Sequence, residues 1–168
     1  IKVIEYEYVE EFSKLEGTIY REVLSAWIVC RSYSSTFSEY DKDSSALFVS
    51  RFSSINAIQI EMQRIKKSIN DSEKEMSTLQ NVPSAYSGSY DKLMAIFNNC
   101  KSLYEIIENP MLYYYDYNSE WNKRYENFDK SVSELTDFMK QCKNYESFND
   151  IYQQCVKDTL EQSKITTN

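Results

Sequence analysis

VIEYEYVEEFSKLEGTIYREVLSAWIVCRSYSSTFSEYD, residues 3–41, is the stretch whose reading decides the fold. Ile4, Tyr8, Phe12, Leu15, Ile19, Val23, Ala26, Cys30, Tyr33, Phe37 and Tyr40 recur in it at intervals of three and four without a slip. That spacing draws one apolar stripe along a single long helix. Glu5, Glu7, Glu10 and Glu11 crowd its start, where negative charge favours the positive end of the helix dipole. Gly17 costs about 1 kcal/mol relative to alanine inside a helix, which weakens the middle without ending it.

Working outward, the polar run Asp41 to Ser45 predicts a turn, and Phe48, Phe52, Ile55, Ile58, Met62, Ile65, Ile69, Met76 and Leu79 predict a second helix over about 45–80. At about 1.5 Å per residue each helix would be roughly 55 Å long, a length that calls for lengthwise antiparallel packing of one on the other. Pro83 disfavours helix at Val82 and, with the serines around Gly88, marks the next connection. Tyr86, Tyr90, Leu93, Phe97, Cys100, Tyr104 and Ile107 predict a third helix over 85–109, stopped by Asn109-Pro110. Tyr117, Trp121, Tyr125, Phe128, Val132, Leu135, Met139 and Cys142 carry a fourth, with Asp116 or Asn118 as its N-cap. The stripe stutters between Lys143 and Ser147. Ser147 with Asp150 resembles a capping box, so a short fifth helix is expected to carry Phe148, Ile151, Tyr152, Cys155, Val156 and Leu160. The alternative is one continuous helix over 117–163.

These stripes and short connections predict an all-α fold: an antiparallel up-down-up-down helical bundle with two long helices, two shorter ones and a short C-terminal helix, forming a single domain over 1–168. Two glycines and two prolines leave little material for hairpins, which argues against a β-sandwich. Gly17 and Gly88 stand too far apart for a phosphate loop or a dinucleotide fingerprint.

Composition narrows function mainly by exclusion. The chain contains no histidine, which removes the commonest general base and zinc ligand and any Ser/His or Cys/His pair. A di-iron bundle site of the Glu-x-x-His type goes with it. Acidic pairs such as Glu7/Glu11 and Glu73/Glu75 read as a solvated face. A net charge of −7 opposes binding to nucleic acid or to anionic lipid. The chain has no apolar run of membrane-spanning length, the longest being Ala26 to Cys30. No cofactor and no catalytic activity are expected.

Two groups remain as candidates. Cys30, Cys100, Cys142 and Cys155 lack CxxC spacing and read either as small buried hydrophobes or as two disulfides. Cys142 and Cys155 flank the expected turn, whereas one straight helix would hold them about 20 Å apart. Cys30 and Cys100 could meet between the first and third helices if their heights match. The aromatic run Tyr113, Tyr114, Tyr115, Tyr117 with Trp121 falls in an expected loop. There it could hold a protein partner or stack on a surface glycan, or else cap the bundle end.

From Pro83 onward, Pro83, Tyr86, Tyr90, Asp91, Lys92 and Leu93, then Leu103, Tyr104, Asn109 and Pro110, then Tyr117, Asn118 and Ser119 resemble the helical domains of small surface lipoproteins of Gram-positive bacteria. The resemblance spans residues 83–128. It implies export, a lipid anchor upstream of Ile1 and an extracytoplasmic home on the cell envelope, and it assigns no functional residue. The expected role is therefore an envelope-attached bundle that binds or scaffolds without catalysis. The rival is a cytoplasmic helical adaptor or regulator offering an apolar helix face to a partner protein.

Overall fold

A computed structural model describes residues 2–40, 56–109, 116–143 and 145–165. Among them the chain forms five α-helices, one 3-10 turn and no strand. The all-α bundle expected from the stripes is the observed fold. The helices are α1 (Lys2–Tyr40), α2 (Asn56–Thr78), α3 (Ser89–Glu108), α4 (Tyr117–Gln141) and α5 (Tyr145–Ile165), with the 3-10 turn at Ser84–Tyr86. The predicted turn at 41–45 and the predicted first part of the second helix lie outside the described residues.

α1 is the hub, touching every other helix and α5 most extensively, while α3 and α4 form the second large contact. The predicted stripe is buried on α1 from Tyr8 through Phe12, Leu15, Ile19, Val23 and Ala26 to Cys30. A second stripe that the spacing did not single out is buried beside it: Glu5, Val9, Ser13, Glu16, Glu22 and Val29. A helix flanked on two sides must bury more than one seam, which explains the pairing. Ile4, placed at the head of the predicted stripe, is instead exposed.

Pairs of contacts fix local directions. Arg64 reaches Glu22 and Ser25, whereas Ser68 one turn later meets Arg21, so α2 runs opposite to α1 here. Lys92 pairs with Glu134, Asn99 Nδ2 donates to Ser131 Oγ, and Arg124 Nη1 donates to the Ser102 carbonyl at 2.7 Å. The falling partner numbers make α3 and α4 an antiparallel hairpin. Tyr86, Leu93, Ile96, Phe97, Leu103, Phe128 and Leu135 share one buried core with the α1 stripe and are all essentially inaccessible to solvent.

The connections correct three boundaries. The third helix starts at Ser89, because Pro83 and Ser84 accept the Tyr86 and Ser87 amides in a 3-10 turn and Gly88 then takes φ 94°. A β-carbon at Gly88 would stand 3.1 Å from Phe138 Cζ, so strain and crowding coincide. Gly88→Ala is expected to cost about 1–3 kcal/mol. Equilibrium urea unfolding of the two proteins measures this, and equal midpoints would contradict it.

The fourth helix ends at Gln141, where Cys142 turns extended and its carbonyl accepts the Tyr145 amide at 3.2 Å. The break expected near 144 is therefore present, and a continuous helix over 117–163 is not. The new helix begins at Tyr145, so Ser147 is helical rather than a cap. At 21 residues this last helix is not short; it is as long as α3. Asp116 takes the N-cap position of α4, yet its side chain makes no capping hydrogen bond.

Candidate functional site

Charges at helical spacing ordinarily face water, but α1 turns three carboxylates inward, Glu5, Glu16 and Glu22, the last two most completely. Glu22, 1% exposed, is met from α2 by Arg64, whose Nη1 and Nη2 donate to Oε1 and Oε2 at 3.2 and 3.0 Å. Arg21 Nε donates to the same Oε1 at 2.9 Å. Arg64 continues outward to Glu61 and Ser25, and the donation to Glu61 and the contact with Glu22 hold its guanidinium firmly charged. Such fork-shaped pairing is what makes a buried carboxylate tolerable.

Above this cluster the α1/α2 junction opens into a groove of about 330 Å³ lined by Thr18, Arg21, Arg64, Lys67, Ser68, Asp71, Ser72 and Glu75. Its charges are largely spent within the protein: Lys67 donates to Asp71 at 2.8 Å, and Arg21 reaches Ser68 at 3.4 Å. The groove is a polar seam bridged between the helices by the Arg64–Glu22 ion pair and the Arg21–Ser68 hydrogen bond.

The second inward carboxylate is Glu16, 3% exposed, which accepts a hydrogen bond at 2.6 Å from the Tyr152 hydroxyl of α5. Burial pushes Glu16 up to about 7, against the opposing effect of that bond. The same burial, the nearby Glu16 charge and the hydrogen bond all push Tyr152 well above the usual phenol range.

A little further along α1, Leu24, Trp27 and Ile28 are 47%, 43% and 54% exposed. Their i, i+3, i+4 spacing makes them one ridge, and the Arg31 guanidinium sits 4.8 Å from the Trp27 ring centre. Exposed apolar helix faces are one common docking mode between proteins. The sequence stripe hid it, because the expected seam here runs through Val23, Ala26 and Cys30, which interleave with these residues.

The aromatic group expected at a loop surface divides. Tyr113, Tyr114 and Tyr115 lie outside the described residues. Tyr117 and Trp121 are 4% and 3% exposed and belong to the core, as the fourth helix's stripe placed them and not as surface partner contacts. α4 begins at Tyr117, and both rings fall on its inward face.

The four cysteines are free thiols, and neither candidate disulfide is formed. Heights account for the first pair: Cys100 stands near Glu22, whereas Cys30 lies eight residues on, about 12 Å along the helix axis, beside the Tyr117 hydroxyl. Cys142 Sγ donates to the Phe138 carbonyl, while Cys155 faces Glu10 and Lys14 of α1. Burial pushes the Cys30 and Cys100 thiols up to about 12, which makes them poor nucleophiles.

Among the described residues no helix is long and apolar enough to cross a membrane, and no group of three or more cysteine or acidic residues is placed to hold a metal ion. The fold is, among the described residues, a helical bundle with buried ion-paired charges and an exposed apolar ridge on α1. Comparison with protein-family models, with curated proteins and with solved structures finds no match.

Proposed function

We propose that this protein is an exported, envelope-attached helical bundle that binds a partner protein without catalysis. The observation that carries the binding role is the Leu24-Trp27-Ile28 ridge, three large apolar side chains held outward on the most heavily packed helix. Rigid presentation lowers the entropic cost of docking, and tryptophan supplies much contact area for few rotatable bonds. Envelope attachment rests on the lipoprotein resemblance of residues 83–128. The four free thiols favour a second reading, an intracellular adaptor using the same ridge, because reducing compartments keep cysteines unpaired.

A photo-crosslinking amino acid placed at Trp27 in intact cells tests the binding role. A covalent adduct of one discrete mass is expected there and none at exposed Lys140; no adduct at Trp27, or equal adducts at both, would contradict it. Fractionating the same cells separates the two compartments. Recovery with the envelope supports export, and recovery with the cytosol supports the adaptor.

A further inference from the structure

α1 buries Glu22 and Glu16 with similar completeness but treats them differently. Glu22 is clamped by two guanidinium groups from α1 and α2. Glu16 has the neutral Tyr152 hydroxyl, itself on a 5% exposed residue of α5. The surrounding ionisable groups are Tyr20 on α1, Tyr152 and behind it Tyr145 on α5, and Asp129 and Tyr125 of α4 beyond Tyr20. α2 and α3 bring no charged group to bear on it among the described residues. Lys14, two residues away on α1, is exposed and held by Glu10 and Glu11. Among the described residues Glu16 is paired with no cation, and the chain has no histidine to take the proton instead.

We propose that Glu16 and Tyr152 form a proton-operated latch: α5 is held on α1 while the Glu16 carboxyl is protonated and is loosened when that carboxyl ionises. The physical cause is the cost of an ionised carboxylate in a site without a compensating cation. Opening α5 returns Glu16 to water, where it ionises at its ordinary value of 4.5, against about 7 when covered. The covered state thus binds the extra proton. Its advantage is complete below about 4.5, declines as pH rises toward 7 and is gone above that. Opening of α5 should therefore grow on the order of a hundredfold between pH 5 and pH 8 and level off near the upper end. The latch does not depend on the ridge or on the compartment proposed above.

Hydrogen exchange of the whole protein, followed by mass spectrometry between pH 5 and pH 8 and corrected for the intrinsic pH dependence of exchange, reads the opening directly. Peptides of α5 are expected to gain that hundredfold in the natural protein and to change by less than a few-fold in Glu16→Gln, which keeps the shape and removes the charge. Tyr152→Phe keeps the ring and removes the bond that favours the ionised form, so it should move the carboxyl titration seen by carbon NMR to higher pH. Equal pH dependence of α5 exchange in the natural and Glu16→Gln proteins would overturn the latch. So would a Glu16 carboxyl titrating below pH 5.

Discussion

Trp121→Ala is expected to cost about 3–5 kcal/mol, the usual range for deleting a large aromatic from a packed interior. The side chain is 3% exposed on α4 and belongs to the same buried core as Tyr117 and Phe128. Partial collapse of its neighbours would recover a fraction of the loss, but α4 is tied to α3 by Arg124 and Asn99 and cannot slide freely into the void. A loss of that size is a large share of the 5–15 kcal/mol that holds a typical domain together. Trp27→Ala supplies the contrast, because its ring is 43% exposed and its removal should cost no more than about 1 kcal/mol. The two tryptophans are the only ones in the chain, so each variant leaves one reporter: the Trp121 emission should be blue-shifted and the Trp27 emission solvent-like. Denaturant unfolding gives the energies, and equal losses for the two variants would contradict the assignment of one ring to the core and the other to the surface.

Arg64→Met is expected to destabilise by about 3 kcal/mol. It removes both donors from the forked pair and leaves Glu22, 1% exposed, with Arg21 alone. Breaking one side of a buried pair usually costs about 3–5 kcal/mol. Arg64 is 42% exposed, so the favourable hydration that it already enjoys places the value at the lower end. Arg64→Lys keeps the charge but cannot present two parallel donors, and should lose about half as much. Adding Glu22→Gln to Arg64→Met should restore part of the stability, since the uncompensated charge is then absent. A single-variant loss below about 0.5 kcal/mol in thermal or urea unfolding would show that the pair contributes nothing, as many exposed pairs do.

The helical stripes were legible where one face alone is buried. Leu93, Phe97, Cys100 and Ile107 on α3, and Phe128, Leu135 and Met139 on α4, sit where their spacing placed them. Pro83 marked the connection before α3 for a physical reason, its steric effect on Val82, although the spacing could not tell a 3-10 turn from the first turn of an α-helix. The break before α5 was also legible as a stutter. The Ser147-Asp150 signature misplaced it, because a tight turn closed by the Cys142 carbonyl starts the helix at Tyr145 without that cap.

The inward carboxylates were not legible. Periodicity assigns polar residues to the outside, and Glu16 and Glu22 are separated from their partners by 136 and 42 positions. Only the packing of α2 and α5 on either side of α1 reveals that both lie inside. Exposure of the ridge was hidden for the converse reason, since apolar residues beside a stripe read as a widening of the core. Tyr117 and Trp121 stood both in the aromatic run and on the apolar stripe of the fourth helix, and their burial at the start of α4 follows the stripe.

Residue-resolved hydrogen exchange under increasing denaturant tests the central claim that α1 is the rod on which the other helices are assembled. Amides from Val9 to Cys30 are expected to exchange only through global unfolding, with one common free energy and the highest protection in the molecule. If those amides open at lower free energy than the α3/α4 hairpin, and that hairpin stays protected after α1 has been released, α1 is not the rod that organises the fold.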